Sequence, residues 1–108
     1  MPKACVVLTT IFDPVVLDDY YRNFAKFRHL DQVEVILIPD KKTPESAWLR
    51  CGELTRRGLR ACCPSLEEQE AFLAHLNLPP DFIPYNSDNR RNIGFLMALE
   101  RECDFVIS

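Results

Sequence analysis

Two runs of apolar, largely β-branched residues constrain this chain more than any other feature: Ala4-Cys5-Val6-Val7-Leu8-Thr9-Thr10 and Val33-Glu34-Val35-Ile36-Leu37-Ile38. Neither alternates between apolar and polar positions, as a strand with one wet face would. Such runs belong to strands covered on both faces, the environment of a parallel sheet flanked by helices. Each run leads into a segment with a helix start signal. Asp13 is placed to cap a helix beginning at Pro14, with Leu17, Tyr20, Tyr21, Phe24 and Phe27 as its inward stripe. Thr43-Pro44 repeats the arrangement ahead of Trp48, Leu49, Cys51 and Leu54, and that helix runs to Gly58. Leu59 to Cys63 predicts a weaker third strand. Ser65-Leu66-Glu67-Glu68 then reads as a capping box for a helix with Leu66, Phe72, Leu73 and Leu76 inward, ended by Leu78-Pro79-Pro80. Phe82 to Tyr85 reads as a short extended piece whose proline suits an edge or a strand end.

The remaining stretch, Ser87 to Ser108, reads as a polar loop, a helix and a strand. Ile93, Leu96 and Met97, widened by Leu99 and Cys103, recur at helical spacing, and Ser87 or Asp88 can accept from the first free amides. Arg90 and Arg91 then fall in the first helical turn. Cations are unfavourable there by roughly 0.3–1 kcal/mol each, because the helix N-terminus already carries partial positive charge. Two explanations stay open: the arginines point into water or pair with Asp88 and Glu100, or, with Asn92 and the free amides, they form a cradle for a diphosphate. Gly94, inside the helix, implies close approach of a ligand or another backbone, or tight packing of the helix on the sheet.

Strands alternating with helices give residues 1–108 a single α/β domain: a three-layer, Rossmann-like arrangement with a mostly parallel sheet. All carboxyl ends of the strands then share one edge, where open α/β sheets bind ligands. That edge collects Thr9, Thr10 and Asp13, then Asp40, Lys41 and Lys42, then Pro64 and Ser65, then Ser87 to Asn92. A net charge of −3 argues against a nucleic-acid partner. No apolar run approaches the length of a membrane span and no signal-peptide pattern follows Met1, which predicts a cytoplasmic protein. The five cysteines lack a C-x-x-C pair or nearby histidines, so they read as reduced thiols and not as a zinc site or a disulfide framework. His29 and His75 have no recognisable partner.

Asp88-Asn89-Arg90-Arg91-Asn92-Ile93-Gly94, a helix, then Asp104-Phe105-Val106-Ile107-Ser108 resembles the segment of GT-A type glycosyltransferases that runs into their metal-binding Asp-x-Asp motif. The resemblance is to family-2-like enzymes and to the reversibly glycosylated polypeptide group, whose members include UDP-arabinopyranose mutase. It implies that Thr9 and Thr10 lie along the nucleotide, that Asp40 contacts base or ribose, and that Arg91 lies near the diphosphate of a nucleotide-sugar donor, a UDP-sugar, with Asn92 ordering the loop or contacting the ligand beside Arg90. It also implies a divalent metal, Mn or Mg, whose ligands lie beyond Ser108. The expectation is therefore the nucleotide-binding N-terminal part of a transferase, incomplete and inactive as a 108-residue chain, with catalytic residues outside it. An exposed sheet edge at the last strand would favour self-association. A UDP-sugar mutase, or a non-catalytic α/β interaction module, are the alternatives.

Overall fold

The computed structural model describes residues 2–10, 12–85 and 87–107, the side chain of Asp88 excepted. Four strands, β1 (Ala4–Thr9), β2 (Val33–Ile38), β3 (Arg60–Cys62) and β4 (Phe105–Ile107), form one sheet in the order β3-β2-β1-β4. Every pairing is parallel. β1 runs beside β2 from Ala4 opposite Val33 to Thr9 opposite Ile38, and beside β4 from Ala4 opposite Phe105 to Val6 opposite Ile107. β3 extends the other side, with Glu34 opposite Arg60 and Ile36 opposite Cys62.

Because successive side chains of a strand point to opposite faces, the two apolar runs feed two cores. Val6, Val33, Val35 and Leu37 face α1 (Val16–Lys26) and α2 (Ser46–Arg56), where Leu17, Ala47, Cys51 and Leu54 meet them. Cys5, Val7, Ile36 and Ile38 face the opposite layer, α3 (Leu66–His75) and α4 (Arg91–Glu100), and pack on Leu73, Ile93, Met97 and Ala98. The result is the three-layer α/β arrangement that the absence of alternation implied. Chain direction reverses after β3: α1 and α2 connect strands stepping one way from β1, and α3 and α4 carry the chain back across to β4. Such a reversal moves the connecting helices to the other face.

Some details of the helices differ from expectation. The first helix opens at Val16 after Val15, without a side-chain cap, because the Asp13 carboxylate is taken by Arg50. The second opens after Glu45, again uncapped, because the Thr43 hydroxyl donates to Thr10 O and accepts from Asp40 N. Phe27, Leu49 and Leu99, assigned inward from spacing, are exposed. The segment 82–85 forms bends, not an extended strand. The capping box is present in both halves: Glu68 N donates to Ser65 Oγ, and Ser65 N donates to the Glu68 carboxylate.

Candidate functional site

The order β3-β2-β1-β4 fixes where a ligand crevice belongs. The helix leaving β1, α1, lies on one face of the sheet and the helix leading into β4, α4, on the other, and open α/β sheets bind ligands at such a change of face. The loop after β1 lines a cleft of about 170 Å³ bounded by Leu8, Thr9, Thr10, Asp13, Pro14, Val15, Val16 and Leu37. Thr9 ends β1; Thr10 folds its hydroxyl onto its own loop, bonding to Phe12 N and O at 3.0 and 2.9 Å. Phe12, Val15 and Val16 leave apolar surface open around the cleft.

The first turn of α4 is brought to the same edge, and Gly94 is the reason it comes so close. A Cβ on Gly94 would lie 2.4 Å from Val7 Cγ1 and 3.2 Å from Ile38 Cγ1, so the helix rests on the carboxyl-terminal halves of β1 and β2. Tight packing on the sheet therefore accounts for this glycine without a ligand. The preceding residues Asp88–Arg90 form one 3-10 turn, with Arg90 as N-cap and Arg91 as the first helical residue.

A relay of hydrogen bonds joins the loops along this edge. Thr43 Oγ1 donates to Thr10 O at 2.6 Å and accepts from Asp40 N at 2.8 Å. The Asp40 carboxylate in turn accepts from Lys41 N at 2.7 Å and from Ser87 N at 3.3 Å. Asp40 is thus buried and committed to ordering its own turn and the approach to α4. On the far side of the cleft, Arg50 from α2 holds Asp13 in a two-point pair at 3.0 and 2.8 Å and Asp18 at 2.7 Å. The guanidinium keeps the Asp13 carboxyl below the usual carboxylate range.

Arg90 is where the surroundings depart most from the sequence expectation. Only 1% of it is exposed. One terminal nitrogen donates to Ile83 O at 2.9 Å and the other to the Gln69 side-chain oxygen, and its guanidinium stacks 4.4 Å from the centroid of the Tyr85 ring. Gln69, itself fully buried, donates to Pro39 O and Pro64 O at 2.9 and 3.0 Å. A buried guanidinium needs its donors satisfied; here neutral oxygens and an aromatic face supply most of that need. Neither explanation left open for the arginines includes this burial, because both treat a helix N-terminus as open on all sides, whereas α3 and the 82–85 bends wall off one side of Arg90. Arg91 is half-buried, its Nε enclosed without a partner among the described residues, and Asn92 is exposed.

Of the six residues singled out for ligand binding, Thr9, Thr10, Arg91 and Asn92 stand at the sheet edge with free faces or unused polar atoms. Asp40 and Arg90 instead hold the edge together. Gln69, Thr43, Arg50 and Tyr85 were missed. Gln69 was detectable: Leu66, Gln69, Leu73 and Leu76 form one helical stripe, and a polar residue inside it implies a buried polar partner. Lys41 Nζ also lies 4.4 Å from the Tyr85 ring centroid, and the Tyr85 hydroxyl donates to Glu70, whose carboxylate raises the phenol above its ordinary pKa. Among the described residues, no group of three or more His, Cys, Asp or Glu side chains is placed to hold a metal ion, and no helix is long and apolar enough to cross a membrane. Set beside protein-family models and curated proteins, the chain matches none of them.

Proposed function

We propose that this chain is the nucleotide-binding part of a cytoplasmic enzyme that uses a nucleotide-sugar, a UDP-sugar donor for a glycosyltransferase. The observation that carries this reading is the joint placement, at the carboxyl edge of a parallel sheet, of the cleft after β1 and the N-terminus of α4 with Arg91. A helix N-terminus offers free amides and partial positive charge to an anion, and Arg91 adds a guanidinium beside them. The cleft bounded by Thr9 and Thr10, with apolar surface from Val15 and Val16, suits the planar base and ribose of a nucleotide.

In this reading the diphosphate contacts fall to Arg91 and the α4 amides, with Asn92 ordering the loop, while Arg90 acts from beneath by fixing the turn that aims them. Asp40 acts similarly by holding Ser87. A divalent metal, Mn or Mg, would neutralise the remaining diphosphate charge, with ligands from residues beyond Ser108. The exposed β4 strand is the surface through which the isolated chain would self-associate.

Calorimetric titration of UDP and of a UDP-sugar, each with manganese, into the protein and its Arg91→Ala variant tests the proposal. Loss of one charge-assisted contact should cost about 1.5–3 kcal/mol, roughly a 10- to 150-fold weaker Kd, with the melting temperature of the variant unchanged or slightly raised. Equal affinities would remove Arg91 from the site. Absence of any nucleotide binding would defeat the reading and favour a non-catalytic interaction module.

A further inference from the structure

The edge opposite the candidate site, where the strands begin and the helices end, carries its charge unevenly. α1 and α2 lie on one face of the sheet and their carboxyl ends meet at this edge. The Arg57 guanidinium stands 5.4 Å from the centroid of the Tyr21 ring, and Leu30 Cδ1 is 3.9 Å from where a Cβ on Gly58 would lie. Lys26, Arg28, Arg56, Arg57 and, at the start of β3, Arg60 are all exposed at this corner. Two acids accompany them, Asp31 and Glu53, and Glu53 is paired with Arg57 at 2.8 Å. Among the described residues, Lys26, Arg28, Arg56 and Arg60 have no carboxylate at ion-pair distance. The first-turn acids of α1 lie toward its other end and are already taken, Asp18 by Arg50 and Asp19 by Arg22. The other acids of this edge, Glu100, Glu102 and Asp104, gather across the sheet between α4 and β4.

A cation in the last turn of a helix faces free carbonyls, which suffices to explain Lys26 and Arg56. Arg28 and Arg60 lie outside the helices and have no such reason to be basic. Arg28 moreover holds a φ of 60°, where glycine or asparagine would sit with less strain. Next to it the Phe27 ring is 56% exposed, with the Lys26 ammonium 5.5 Å from its centroid. An exposed aromatic ring flanked by lysine and arginine suits a boundary that is anionic outside and apolar beneath.

We propose that this corner is a docking surface for an anionic membrane leaflet. The cations meet lipid phosphates and carboxylates, an attraction confined to about a Debye length from the surface, while Phe27 enters the headgroup layer. A lipid surface fits this end better than a nucleic acid does, because it touches the molecule here alone. An extended polyanion would run on over a chain whose net charge is −3, whereas acids more than about 8–10 Å from a docked surface are screened. Docking at this end leaves the opposite edge free, and the two surfaces act independently.

The test floats the 108-residue chain with vesicles of phosphatidylcholine containing about 30% phosphatidylserine, and with phosphatidylcholine alone, at about 0.1 M salt. The chain should rise with the anionic vesicles only, and less so as salt is added. Arg56→Gln should lower the partition coefficient roughly fivefold, the share of one cation at such a surface. Arg28→Gly should lower it as much while raising the melting temperature, since glycine relieves the left-handed backbone; an arginine with only a structural role would leave flotation unchanged. Phe27→Ala should also weaken binding, without changing its salt dependence. Lys42→Gln removes the same charge at the opposite edge and should float like the native sequence. Equal flotation with both vesicle types, flotation with neither, or an equal loss in Lys42→Gln would each overturn the proposal. Capture of a single-stranded RNA oligonucleotide without flotation would give the corner to nucleic acid and overturn it as well.

Discussion

Gly94 illustrates how a single missing methyl group sets the position of a helix. Alanine is the better helix former by about 1 kcal/mol, yet a Cβ here would meet Val7 Cγ1 at 2.4 Å, and a β-branched valine in a packed strand has no spare rotamer. Overpacking of this kind costs about 1–3 kcal/mol, which outweighs the helix gain, so Gly94→Ala should be destabilising by up to about 2 kcal/mol in urea unfolding. Val7→Ala should relieve much of that loss, giving a favourable coupling in the double-mutant cycle. Gln69 presents the opposite case, a polar residue whose removal strands several partners. In Gln69→Leu, Pro39 O, Pro64 O and the Arg90 guanidinium each lose a bond in the interior. At about 1–3 kcal/mol for each unsatisfied buried group, the variant should lose about 3 kcal/mol or more, read as a lower denaturation midpoint at unchanged slope.

At the scale of elements, what was legible in the chain was what is decided locally. β1 and β2 were legible because a run without polar alternation has one common explanation, and the start of α3 because Ser65 and Glu68 satisfy each other across three residues. The starts of α1 and α2 were misread for one physical reason: Asp13 and Thr43 are good caps in isolation, but tertiary partners, Arg50 and Thr10 O, compete for their oxygens. The burial of Arg90 could not be foreseen from spacing, since it depends on which loops the sheet order brings together. The same order makes β4 the least protected element. Its residues Phe105, Val106 and Ile107 are 59, 43 and 45% exposed and it pairs only with β1. Amide exchange should therefore be markedly faster in β4 than in β1 or β2, with protection at Val6 and Ile36 tracking global unfolding; equal protection across all strands would contradict this.

For the whole molecule, pH and concentration are the conditions expected to reveal the most. Cys5 is raised from its ordinary value of 9.0 to about 12 by burial and by Cys103. The folded state thus keeps a proton that the unfolded state releases, so this contribution is complete below pH 9 and is lost as pH rises through the window up to about 12. Alkaline unfolding should accordingly be steeper in the native sequence than in Cys5→Ala, measured as the slope of stability against pH. Sedimentation at rising concentration should show the weight-average mass increasing, because β4 offers unpaired backbone beside apolar side chains; a constant monomer mass would refute it. Gln69 carries a last consequence, for how such a protein could change over generations. Its one amide knots the ends of β2 and β3 to the turn that leads into α4, so the rim of this sheet cannot be redesigned one loop at a time. A lengthened turn at any of the three would unfasten the other two, so changes along this rim would have to arrive together.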